Sequence, residues 1–273
     1  MYVEWNPERY IFETAIYKLS WYEVCFAAMF VIGFFLNRRE FKKYGVPEDQ
    51  IFELWIVTII TEVFAIHITH GLFYDWERYS AEPFRFLDVT RGGFASHGTV
   101  AGLMIPLWIW AKIRGYNTAD IWDRFVPAAV IGTIFIRLGN LSVGEIYGRV
   151  TYVPWAFRFV GREGPHAMPR HPSQIYEIII GVLMLALTYF LYWKFKRRHP
   201  RYLILGAFLA SYFVLRFIVE FFKEYQTLDS YSSALTMGQY LSIPCFGVGA
   251  ILLVLAFRNW KKGNLSPESI AKS

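Results

Sequence analysis

The chain has 273 residues, of which 55% are hydrophobic and 19% aromatic, and its formal net charge is +6. That apolar content exceeds what a single soluble core of this length uses, and it excludes an ordinary soluble enzyme. The positive charge collects at the ends of apolar runs, which argues against a nucleic-acid partner. The two cysteines, Cys25 and Cys245, both lie inside apolar runs, so neither a disulfide framework nor a paired-cysteine metal motif is available.

In chain order, seven apolar runs are long enough to cross a bilayer as helices: 19–36, 51–73, 94–111, 125–141, 175–193, 203–222 and 240–257. The expected fold is therefore all-α, a polytopic integral membrane protein forming one helical domain over 1–273. Arg38, Arg39, Lys42 and Lys43 follow the first run, and Lys194, Lys196, Arg197, Arg198 and Arg201 follow the fifth. Basic residues favour the cytoplasmic side, so the N-terminus is expected outside and the C-terminus in the cytoplasm. The first run is followed, not preceded, by its basic cluster and has no small-residue cleavage site, so it reads as a membrane helix rather than a signal peptide. On this topology the segment 142–174, long for a plain connection, forms a cap on the outer face, and 261–273 is a polar cytoplasmic tail.

Polar residues inside these runs carry the functional signal, because each ionisable group there is costly unless it is paired or snorkels to an interface. Tyr212, Arg216 and Glu220 recur every four residues in the sixth run and share one helix face. Either the Arg216 and Glu220 charges neutralise each other, or the guanidinium is held ready for phosphate oxygens. The stretch FIRLGNLSVGEIYGR, residues 135–149, adds Arg137 with Asn140 one turn on, then Glu145 between Gly144 and Gly148. Two arginines at this depth fit an anionic lipid headgroup, with pairing to Glu145 as the alternative. His97, among the small residues of GGFASHGTVAG, is either a satisfied core histidine or a group for proton transfer. Glu62, His67 and His70 in the second run lack further ligands at a compelling spacing, so no metal site is expected. Trp21, Tyr22 and Glu23 read as an interfacial anchor. In PRHPSQIYE, residues 169–177, Ser173 or Gln174 reads as a helix cap, while Arg170, His171 and Tyr176 lie at headgroup level.

Taken in order, FASHG, IRLGNLSVGEIYG, RHPSQIYE, YFVLRFIVEFFKE and LTMGQYLSIP resemble the motifs of the bacterial prolipoprotein diacylglyceryl transferase family, over most of the chain. The resemblance implies a seven-helix enzyme of the bacterial cytoplasmic (inner) membrane, open toward the outer leaflet. Its substrates would be phosphatidylglycerol and a preprolipoprotein signal peptide with a lipobox cysteine, among membrane lipids and with no cofactor. It would move the diacylglyceryl group to the cysteine thiol and release glycerol 1-phosphate. Carried over residue by residue, the resemblance makes His97, Arg137, Asn140 and Arg216 catalytic, and Tyr22, Glu145, Gly148, Tyr212 and Glu220 substrate-binding. His97 would take the thiol proton, or else donate a hydrogen bond to lipid.

The chain departs from the family pattern in several places. AIHITH, residues 65–70, stands where the family commonly reads Gly-Ala-Arg-Leu-Gly-His, so His67 replaces an arginine. Glu23 replaces a glycine, Thr99 a second glycine, and Lys223 an arginine, and SVGE lacks an asparagine. The changed second run motivates one competitor, a paralogue that binds anionic lipid or signal peptides without transfer, and the ionisable Glu62, His67, His70, Arg216 and Glu220 inside the runs motivate another, a proton-coupled transporter. The absence of an internal repeat counts against the transporter.

Overall fold

The computed structural model describes residues 2–14, 17–73, 75–88, 98–224 and 235–270. It is mostly helical. The long helices are α1 (Trp21–Tyr44), α2 (Glu48–Phe73), α4 (Gly98–Arg114), α5 (Thr118–Val143), α7 (Ser173–Lys194), α8 (Leu203–Glu220) and α9 (Met237–Lys261). Shorter elements are β1 (Val3–Glu4), β2 (Tyr10–Glu13), β3 (Lys18–Ser20), α3 (Trp76–Ala81), β4 (Phe157–Arg158), α6 (Val160–Glu163) and β5 (Pro169–Arg170).

Among the described residues five helices, α2, α5, α7, α8 and α9, are long and apolar enough to cross a membrane. Their outward surfaces match that solvent. Phe52, Ile56 and Ile60 on α2 and Ile251, Val254 and Phe257 on α9 are large, apolar and exposed, at the helical spacing that lets one face meet hydrocarbon. The chain is thus a multi-pass membrane protein.

The chain divides into two compact units, one of Met1–Asn37 and Val126–Ser266, the other of Arg38–Phe125 and Pro267–Ser273. In the second unit α2 packs on α4. A Cβ on Gly102 would come within 2.7 Å of the Ala65 Cβ, so the two backbones approach as small residues allow. Pro106 inside α4 has no N–H to offer the Gly102 carbonyl, and the Thr61 hydroxyl donates to that carbonyl at 3.3 Å. Beyond the C-terminal end of α2, the chain folds into α3 and a 3-10 turn, Pro83–Leu87. His67 is wholly buried and its Nε2 lies 3.0 Å from the Arg85 carbonyl oxygen of that turn. The imidazole that replaces the family arginine therefore serves to tie this segment to α2.

In the first unit α8 and α9 pack most closely, and α7 lies against α8. The segment 142–174 is folded rather than irregular. β1 pairs in parallel with β4, and β4 pairs antiparallel with β5. Trp5, just after β1, donates its indole N–H to the Leu141 carbonyl at 2.8 Å, satisfying one of the free acceptors at the end of α5. β2 and β3 form a hairpin that runs directly into α1. There Ser20 and Glu23 form a reciprocal capping box: the Glu23 carboxylate accepts from the Ser20 N–H at 2.6 Å, and the Ser20 hydroxyl accepts from the Glu23 N–H at 3.3 Å. Glu23, a departure from the family pattern, thus starts the helix. The end of the chain departs from a plain polar tail: Leu265 forms a β-bridge with Pro200, and the wholly buried Ser266 donates its N–H to the His199 carbonyl at 2.8 Å.

Candidate active site

A buried carboxylate gathers the cations. Glu177 sits one turn into α7 with its side chain 4% exposed, and its Oε1 accepts from Arg216 Nη1 of α8 at 3.1 Å. Lys223, just past α8, places its Nζ 3.4 Å from the same oxygen. The Arg137 Nε of α5 pairs with Oε2. In a medium of low dielectric an uncompensated charge is expensive, so three cations converging on one acid bind three segments together. Arg137 also donates from Nη1 to the Asn140 Oδ1 at 3.0 Å, the contact that a spacing of three on one helix permits.

Around this centre α8 contributes its periodic face. Tyr212, one turn before Arg216, interacts with the guanidinium through its hydroxyl. Glu220, one turn after it, lies with Oε2 3.3 Å from Lys223 Nζ. The Glu220 carboxyl also reaches the first turn of α9. A Cβ on Gly238 would lie 2.4 Å from its Cδ, so only glycine leaves it room, and the N-terminus of a helix favours a negative group. Thr236 caps α9, accepting from the Gln239 N–H at 3.2 Å while the Gln239 side chain accepts from the Thr236 N–H at 3.0 Å. This explains why threonine, glycine and glutamine stand together in LTMGQ.

The stretch after α5 is shaped by its backbone. Gly144, at φ 67°, follows the last helical residue, and the Gly144 and Glu145 N–H groups donate to the Leu141 and Asn140 carbonyls at 3.2 and 2.9 Å. That pattern is a Schellman stop, and it needs the left-handed residue that glycine supplies. Ile146 is also left-handed, at φ 57°, a strained conformation for a β-branched residue. Two side chains hold the strain in place: Ser173 Oγ donates to the Ile146 carbonyl at 2.9 Å, and Gln174 Nε2 to the Glu145 carbonyl at 2.8 Å. The cap of α7 at Pro172 uses no side chain, so the expectation that Ser173 or Gln174 caps this helix is corrected. Their side chains turn toward the strained loop instead.

Gly148 lies where two strands of chain meet. Its N–H donates to the His171 carbonyl at 2.8 Å, and it forms a bridge with Lys223. A Cβ there would stand 2.5 Å from both the His171 Cβ and the Phe222 carbonyl oxygen, so any larger residue must push these segments apart. Beside it, His171 Nδ1 lies 3.0 Å from the Tyr176 hydroxyl, and partial burial lowers the His171 pKa, which keeps the imidazole neutral at neutral pH.

The structure thus brings together Arg137, Asn140, Tyr212, Arg216 and Glu220. Arg216 takes Glu177 as its hydrogen-bonded acid, and Glu220 turns to Lys223 and α9. The Glu145 carboxylate takes other partners than Arg137: it lies 3.9 Å from both Arg9 and Arg162 and is about a third exposed. The Tyr22 ring lies against Gly139, one residue before Asn140. His97 lies outside the described residues. Glu177 is the residue that sequence reasoning missed. It closes PRHPSQIYE, and the one available signal was a carboxylate in an apolar run, 175–193, that holds no basic residue to balance it; which cations it meets is not written along the run.

Comparison with known proteins agrees with this arrangement of motifs. A sequence model of the family described as prolipoprotein diacylglyceryl transferase matches residues 9–255. A phosphatidylglycerol–prolipoprotein diacylglyceryl transferase of Chloroherpeton thalassium is 35% identical over 269 residues, 98% of each chain. Proteins of the same name from Tolumonas auensis and Porphyromonas gingivalis are each 32% identical, covering 92% and 94% of this chain and 96% of their own. The chain belongs to the prolipoprotein diacylglyceryl transferase family.

Proposed function

We propose that this protein transfers the diacylglyceryl group of phosphatidylglycerol to the lipobox cysteine of a preprolipoprotein. The thiolate sulfur attacks the glyceryl carbon that carries the phosphate, a carbon–sulfur bond forms, and the carbon–oxygen bond breaks. Its electron pair leaves on glycerol 1-phosphate, and the product is a thioether. The nucleophile belongs to the substrate, so no reactive cysteine of the enzyme is needed and the apolar settings of Cys25 and Cys245 suffice.

The observation that carries this reading is the pair of guanidinium groups, Arg137 and Arg216, held on opposite oxygens of the buried Glu177. Each planar guanidinium has donors beyond those used on Glu177, and they match a phosphodiester and the charge that grows on the departing phosphate. Asn140 fixes Arg137, while Tyr212 fixes Arg216 and, with Tyr22, offers a hydroxyl for headgroup oxygens. Glu145 and Gly148 shape the loop beside them. His97 accepts the thiol proton, because the thiolate is the reactive form and a free cysteine is mostly protonated at neutral pH.

The same reading sets the protein in the bacterial cytoplasmic membrane as one helical domain. Seven helices cross, with α1 and α4 completing the set of five, the N-terminus outside, segment 142–174 capping the outer face, and the site open to the outer leaflet. The test uses purified protein in phosphatidylglycerol liposomes with a lipobox peptide. A diacylglyceryl mass increase on the peptide cysteine is expected, lost in His97→Gln and Arg137→Ala. Folded wild-type protein that binds the lipid and gives no mass increase would overturn the transferase in favour of a binding paralogue.

A further inference from the structure

Lys223 carries a role that the reaction as written does not use. Its side chain is 3% exposed, and its Nζ lies 3.4 Å from Glu177 Oε1 and 3.3 Å from Glu220 Oε2. The backbone fixes it there. The Lys223 carbonyl accepts from Arg149 Nε at 2.9 Å, the Phe222 carbonyl accepts from the Arg149 N–H at 2.9 Å, and Lys223 bridges to Gly148. The ammonium is thus part of the same charged cluster as the two arginines, on the Glu177 oxygen that Arg216 also uses.

The charge count of the cluster gives Lys223 its consequence. Arg137, Arg216 and Lys223 are positive, Glu177 and Glu220 negative, so these five ion-paired groups sum to one net positive charge when the lysine is protonated, and the Arg149 guanidinium on the Lys223 carbonyl adds a fixed positive charge. A phosphodiester carries one negative charge, which this positive excess attracts. With Lys223 deprotonated these groups hold one positive charge fewer, and an added phosphodiester loses the attraction of a close, buried cation. Arginine at this position would keep its charge at any accessible pH, whereas a lysine can lose it. Burial lowers the Lys223 pKa from its ordinary value. The attraction of Glu177 opposes that shift, the repulsion of Arg216 and Arg137 adds to it, and Glu220 opposes it more weakly.

We propose that Lys223 is a positioning residue whose titratable charge sets the affinity of the site for the lipid phosphodiester. The proposal rests on the transferase reading of the same site. The sign follows from linkage. Below its pKa the lysine is charged and the lipid is held; as pH rises through that value, binding requires uptake of a proton and the affinity falls.

The experiment measures binding of a short-chain phosphatidylglycerol to the full-length protein in neutral detergent by calorimetry, from about pH 7 to about pH 10. Wild-type affinity is expected to fall toward about tenfold per pH unit on the alkaline side, while Lys223→Arg stays flat over the same range. Other titrating groups are common to both proteins and cancel in the comparison. Lys223→Gln is expected to bind about tenfold or more weaker at neutral pH, since it lacks one charge close to the ligand. Parallel alkaline limbs in wild type and Lys223→Arg would overturn the proposal, as would wild-type affinity in Lys223→Gln. Inorganic phosphate serves as the free-anion probe; if it binds as tightly as the lipid, the site is one for free anion and the lipid proposal fails. Loss of diacylglyceryl transfer by the wild type at neutral pH would instead overturn the transferase reading, which separates the two failures.

Discussion

Glu177 is the residue on which the site depends. Three cations from α5, α8 and the segment after α8 meet on its two oxygens, so neutralising it removes the attraction and leaves like charges facing one another in a buried place. Breaking a buried ion pair from one side typically costs about 3–5 kcal/mol. Glu177→Gln, which keeps the shape, is therefore expected to lower the thermal unfolding midpoint in detergent clearly and to abolish transfer, while Glu177→Asp retains part of both. A Gln variant with unchanged midpoint and activity would show that the carboxylate charge does not organise the cations. The sequence set Asn140 one turn from Arg137, and the two are hydrogen-bonded, because intrahelical spacing carries that information. It could not place Glu177, because pairing between helices depends on which faces meet.

At the scale of elements, the start of α7 and the loop after α5 act as one device. Ser173 and Gln174 were legible as polar residues at a helix start, and their spacing fits a cap equally well. Only the packing of α7 beside the left-handed Ile146 turns their donors onto the Ile146 and Glu145 carbonyls. Each such hydrogen bond contributes about 1 kcal/mol. The double variant Ser173→Ala with Gln174→Ala is expected to leave helix content unchanged by circular dichroism and to lower kcat by about tenfold or more, with a smaller change in KM. A drop in helix content instead would return these residues to the role of caps.

At the scale of the whole molecule, the topology decides which leaflet the site faces. Basic residues follow the first and fifth apolar runs, and they predict an N-terminus outside and a C-terminus in the cytoplasm. In a cysteine-free background, Glu8→Cys, at an exposed position just before β2, is expected to react with an impermeant maleimide in intact spheroplasts. Lys262→Cys, exposed just beyond α9, is expected to react only after the membrane is opened. The reverse pattern would place the site toward the cytoplasm, and labelling of both positions from outside would require an even number of crossings.

The sequence by itself determined that the chain is helical and membrane-bound, where its long apolar runs lie, and which intrahelical neighbours share a face. Those properties follow from composition and from the fixed periodicity of a helix, which are local. Its ordered motifs also determined the family. The tertiary structure decided which acid balances which cation, why Gly148 and Gly238 have no side chain, what replaces the family arginine at His67, and that Glu145 faces Arg9 and Arg162 rather than Arg137. Each of these is a contact between segments distant in the chain, and no spacing along one helix encodes it.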